Sequence, residues 1–176
     1  MAALEFPAPL RYVLRLPLAG AGCAGPLDKR YYDSAFEEFL PELEQLELSL
    51  AQPVVAVDEK GLLGDWKCRS TQADQYGIYR YPNFQCRIRR TDRGLFLEKT
   101  SGSQRVSGYL FREGTQRYVF LGGATVNDEP QVAFSGLAHG APAESDVVAL
   151  LRPHAGGFLL LFPERRGGYE VLEFSR

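Results

Sequence analysis

The side chains best equipped for chemistry lie in one polar run, Glu98-Lys99-Thr100-Ser101-Gly102-Ser103-Gln104-Arg105. Glu98, Lys99, Gln104 and Arg105 could converge at one mouth, where a charged fork and amide groups would orient an anionic or polar ligand. The same four can instead form a structural network that satisfies the turn around Gly102 and balances charge between adjacent strands. Catalytic sets are thin. Ser101, Ser103, Ser107 and Ser135 have only His139 and His154 as possible bases, and none sits in a Gly-x-Ser-x-Gly elbow. A carboxylate pair for glycoside hydrolysis is defined by its separation in space, which a sequence does not state. The expectation is therefore no catalytic residue and no enzyme. Three cysteines and two histidines are too few and too scattered for a zinc ribbon, so neither a metal site nor a cofactor is expected.

Cys68 and Cys86 both fall at inward positions of segments that should be neighbouring strands. The midpoint between them is residue 77, where Gly77 stands, and the chain between is long enough for a short hairpin. A disulfide there fits an oxidising compartment, whereas two buried thiols fit a cytosolic one. The disulfide is the expectation. Cys23 is left over, either free or an anchor site.

The elements that must position these groups are mostly strands. Residues 62–69 alternate, with Leu62, Gly64, Trp66 and Cys68 on one face and Leu63, Asp65, Lys67 and Arg69 on the other. Residues 84–90 repeat the pattern. Further strands are expected near 76–80, 94–100, 104–113, 116–122, 147–152, 158–162 and 169–174. Gly-containing turns separate several of them, at residues 92–94, 113–114, 155–157 and 166–168. Strands about ten residues apart with tight turns indicate an antiparallel meander.

Before the strands the period is different. Residues 1–27 carry Pro7, Pro9, Pro17 and Pro26 and read as an extended arm. From 28 to 50 the spacing of Tyr32, Phe36, Phe39, Leu40, Leu43 and Leu46 is helical, with Asp28 or Asp33 as N-cap and Pro41 as a kink or restart. Residues 51–176 form the barrel domain. A meander with apolar faces has two exposed edges unless its first strand pairs with its last. The fold expected is thus mainly β: an antiparallel, up-and-down barrel of eight or nine strands, with an N-terminal helix over an opening or an apolar outer face.

A net charge of −2 offers no basic surplus, so nucleic acid is not an expected partner. No stretch of about twenty apolar residues exists to span a membrane as a helix. The most apolar early stretch, 13–23, is interrupted by Arg15 and Pro17 and makes a poor export signal.

Gly64-Asp65-Trp66, at the start of the first barrel strand, resembles the Gly-x-Trp signature of lipocalins and the wider calycin superfamily. That resemblance implies a calycin-like barrel with a tryptophan plugging its closed end and a late arginine packed over its indole; Arg152 and Arg176 are the candidates, with Arg105 a third. A closer resemblance is to a family of unknown function found mainly in exported proteobacterial proteins. Its matching pieces are Gly64-Asp65-Trp66-Lys67-Cys68-Arg69, Tyr81-Pro82-Asn83-Phe84-Gln85-Cys86-Arg87-Ile88, the run from Glu98 to Arg105, and Tyr118-Val119-Phe120-Leu121-Gly122. It implies a compartment, periplasmic or otherwise exported, and no activity.

Two functions follow as expectations. The first is a non-catalytic exported barrel that binds a small, partly apolar ligand through Trp66, Glu98, Lys99, Gln104 and Arg105. The alternative is a protein-interaction or inhibitor module whose barrel is filled by its own side chains. Phe84, Ile88, Leu110, Phe120, Phe158 and Phe162 are bulky enough to do the filling. A cavity of about 300 Å³ or more beside Trp66 or Arg105 would separate the two.

Overall fold

The computed structural model of the chain describes residues 38–74, 77–136, 143–165 and 168–176. Eight strands follow one another: β1 (Gly64–Asp74), β2 (Gly77–Thr91), β3 (Gly94–Lys99), β4 (Gln104–Glu113), β5 (Arg117–Val126), β6 (Asp146–His154), β7 (Gly157–Arg165) and β8 (Gly168–Ser175). Each pairs antiparallel with the next, and β8 returns to β1 from Lys67↔Ser175 to Ala73↔Tyr169, so the sheet closes into an up-and-down barrel. Closure leaves no open edge for another chain to extend.

The two expected strands at 76–80 and 84–90 are one, β2. Its pairing with β1 shifts between Arg69↔Asn83 and Thr71↔Arg80, leaving Tyr81 and Pro82 opposite Ser70 alone. Two residues facing one is a bulge, a place where proline's missing N–H costs no ladder bond. The prolyl interruption bends the strand rather than ending it, and eight strands result instead of nine.

The disulfide between Cys68 and Cys86 is present, with its Cα atoms 5.9 Å apart. It is diagonal: Cys68 stands opposite Phe84, and Cys86 opposite Trp66. The hairpin is centred between Asp74 and Gly77 rather than on Gly77, and that centre together with the one-residue bulge offsets the cysteines by two residues, which keeps them on one face.

Inside, period-two alternation sends one large apolar side chain after another to the axis. Leu97, Phe120, Leu151, Phe158, Leu160 and Phe174 are all buried to within 1% of complete. Gly108 and Gly122 face each other across β4 and β5, and a Cβ on either would strike the opposite backbone. Their lack of side chains lets the Phe120 ring lie against Gly122.

Outside, most of the wall formed by β1 to β4 is polar. Asp65 pairs with Arg87 at 2.6 Å and Arg89 with Glu98 at 3.5 Å. Apolar-in and charged-out is the reverse of a barrel built to face lipid. Among the described residues no helix is long and apolar enough to cross a membrane.

Helix α1 (Leu40–Leu50) lies on the outer wall, not over an opening. Leu46 and Leu50 bury themselves against Leu159, Leu161 and Val171 of β7 and β8. Burying a leucine fully is worth about 1.5–3 kcal/mol, so packing rather than propensity holds an 11-residue helix. Pro41 stands in its first turn, where a proline starts a helix readily. The helix has no glycine at its end. Arg152 of β6, 4% exposed, supplies the cap instead, donating to the carbonyls of Leu50 at 2.7 Å and Ser49 at 3.4 Å. A cation at the negative end of the helix dipole is favourable there. The earlier part of the expected helix, with Asp28, Tyr32, Asp33 and Phe36, lies outside the described residues, as do Cys23 and His139.

Candidate functional site

One end of the barrel is shut. A single helical turn, α2 (Glu59–Leu62), is capped by Asp58, whose carboxylate accepts the Gly61 N–H at 2.8 Å. This turn brings Leu62 into the core, with Val57 and Leu63 packed beside it. Trp66 completes the closure at 5% exposure. Its indole N–H donates to the Leu62 carbonyl at 2.8 Å, and its ring meets Phe158 edge to face at 4.8 Å. Of the three arginines considered, Arg176 takes the place over the indole, its guanidinium 3.9 Å from the ring centre. Gly64 makes room: its φ is 121°, and a Cβ there would lie 2.9 Å from the Arg176 guanidinium. Arg152 instead points outward beneath α1.

The polar run sits at the opposite end and does not converge. Adjacent residues of a strand face opposite ways, so Lys99 and Gln104 point into the barrel while Glu98 and Arg105 point out. Glu98 pairs with Arg89 and accepts from the Gln131 amide at 3.3 Å. Arg105 reaches the Glu129 carbonyl at 3.4 Å. Gln104 accepts from the Gln72 amide at 2.9 Å. Lys99, 4% exposed, donates to the Gln104 backbone carbonyl at 2.8 Å and lies 4.0 Å from the centre of the Phe84 ring. The turn folds over this pair, since a Cβ on Gly102 would touch both the Phe84 ring and the Lys99 ammonium. Ser101 and Thr100 tie it to Gln85 of β2. Close by, Ser70 donates to Glu170 at 2.6 Å.

Burial lowers the Lys99 pKa from its ordinary 10.5, and the Glu170 charge opposes that shift. The folded state therefore holds this proton less tightly than the unfolded chain. Stability gains as pH rises from the lowered folded value to the unfolded one. Lys99→Met should accordingly be more stable than the parent near neutrality, because an apolar side chain avoids the desolvation cost of the buried ammonium. Its advantage should shrink as the pH climbs towards about 10. Urea unfolding at both pH values checks this. Equal destabilisation at both would mean that Gln104 and Phe84 fully compensate the buried charge.

Neither prominent concavity is beside Trp66 or Arg105. One, about 390 Å³, lies between Phe39 and the strand segment from Ile78 to Tyr81. The other, about 300 Å³, lies on the outer wall, where Ser49 and Gln52 of the α1 end overhang Arg69, Arg80, Asn83, His154 and Glu173. Sequence reasoning missed this second group. Cross-strand register brings it together: Arg69 stands opposite both Asn83 and Glu173, and Thr71 opposite both Arg80 and Val171.

The architecture is that of a closed eight-stranded up-and-down barrel with a Gly-x-Trp strand and an arginine at its shut end, compatible with a calycin-like fold. The chain belongs to the family described as a domain of unknown function (DUF4893), whose model matches residues 34–173 and so takes in nearly the whole barrel. No curated protein and no solved structure matches it.

Proposed function

We propose that this protein is an exported, non-catalytic binding module that works from the outside of a filled barrel. The observation that carries this is the interior itself. Phe120, Phe158, Phe174, Leu97, Leu151 and Leu160 occupy the axis and are closed from solvent, where a ligand-carrying barrel would keep a chamber. The shut end with Trp66 and the Gly102 turn over Phe84 support the same view. The alternative expected from the sequence thus takes precedence over a ligand held inside. The disulfide supports export, since such bonds persist in oxidising compartments.

Trp66 is the sole tryptophan, so its emission reports on the barrel interior. Titration with N-phenylnaphthylamine and with palmitate should give no saturable enhancement and no quenching of Trp66. Saturable quenching at one ligand per chain would overturn the filled-barrel reading and restore an internal binding site.

A further inference from the structure

The geometry points to a binding site for a small organic oxyanion, a carboxylate or phosphate, in the outer concavity formed by Arg69, Arg80, Asn83 and His154. This concavity of about 300 Å³ is at the lower end of sizes that hold small ligands. Its distinctive property is a surplus of donors.

Among the described residues Glu173 is the one carboxylate in its lining, and both its oxygens are engaged. Ser49 donates to Oε1, while Thr71 at 3.5 Å and Arg80 at 3.2 Å reach Oε2. The donors are not exhausted. Arg69 spends its Nε on the Asn83 side-chain oxygen at 3.2 Å, and among the described residues no other partner engages its guanidinium. That contact commits the Asn83 oxygen, so its amide N–H groups remain to donate. Arg80 is held in the lining by Glu173 and contributes its charge there, its Nε being closed from solvent. His154 accepts the Gly156 N–H at Nδ1, which places the hydrogen of the neutral ring on Nε2. Burial, with the nearby Arg152 charge, lowers the His154 pKa against the opposing Glu173 charge, which favours the neutral ring. Two guanidinium groups against one carboxylate leave the lining with a net positive charge. A guest bringing acceptors and a negative charge, but no donors, is the complement of that set.

The proposal is independent of the filled interior, because every group it uses lies on the outer wall or at its rim. Two-dimensional amide NMR of the full chain, titrated at constant ionic strength with inorganic phosphate and with citrate against chloride, tests it. Saturable shifts centred on residues 69, 80, 83 and 154 are expected with at least one of the two anions. Which anion binds more tightly distinguishes phosphate from carboxylate as the preferred group. Arg69→Gln should weaken binding about tenfold or more while leaving the fold intact, since it removes a charged donor from the guest. Lys67→Gln removes the same charge from an exposed position on the same strand outside the concavity, and should leave affinity within about twofold. Absence of saturable shifts with both anions would overturn the site. So would equal weakening by Arg69→Gln and Lys67→Gln, which would mean attraction to general surface charge.

Discussion

Replacing Trp66 by alanine should destabilise the fold by about 3–5 kcal/mol, the range for truncating a large buried aromatic. Three losses add up at this position. The cavity opens against Phe158, which itself stacks on Phe174 at 4.1 Å, so the void reaches into the aromatic centre of the barrel. The buried Leu62 carbonyl loses its indole donor, and α2 loses its tie to the first strand. Arg176 loses the ring beneath its guanidinium and keeps only the carbonyls of Gly61 at 3.3 Å and Leu63 at 3.1 Å. Trp66→Phe separates these contributions, because it retains most of the ring and removes the N–H; it should cost about 1–3 kcal/mol. Arg176→Ala should cost about 0.5–2 kcal/mol through the cation–π contact. Denaturant unfolding of the three variants gives all the values. A loss under about 1 kcal/mol for Trp66→Ala would mean that the tryptophan does not plug the barrel end, and would remove the likeness to calycins at that end.

Loss of the Cys68–Cys86 bond comes next in size, at about 2–4 kcal/mol. The bond closes a loop with a sequence separation of 18, which in the chain-entropy account corresponds to about 3 kcal/mol. Both cysteines are at most 1% exposed, so reduction must wait for opening of the barrel, and the native bond should resist mild reductant. The double variant Cys68→Ala/Cys86→Ala should show the equilibrium cost in denaturant unfolding. Thiol counting on denatured, unreduced protein should find one free cysteine, Cys23, from the three in the chain. Three free thiols would remove the bond and, with it, the main support for an oxidising compartment.

Several features were legible because they depend only on which way neighbouring side chains point. Gly64, Trp66 and Cys68 had to share a face, as did Phe84, Cys86 and Ile88, and a meander of such segments needed to close. Period-two alternation also forbids Lys99 from sharing a face with Glu98, or Gln104 with Arg105. The expected convergence of all four overlooked that rule, and the barrel wall separates them accordingly. The gap expected between residues 80 and 84 holds Pro82, which ladder bonding disfavours, yet a bulge there supplies a position that tolerates it and the strand runs on.

Other features needed closure itself. Arg176 meets Trp66 because β8 pairs with β1 at Lys67↔Ser175, placing Arg176 beside the first strand; Arg152, and Arg105 as a third candidate, stood open until that register existed. Arg152 faces outward because Leu151 beside it faces in, and the role it then takes depends on where the α1 carbonyls end. The outer concavity draws on the end of α1 and on β1, β2, β6 and β8, across more than a hundred residues of sequence. Local alternation chooses a face for each side chain. It says nothing of which distant strand lies alongside, and that contact between remote segments, fixed only when the barrel closes, decides which charges meet.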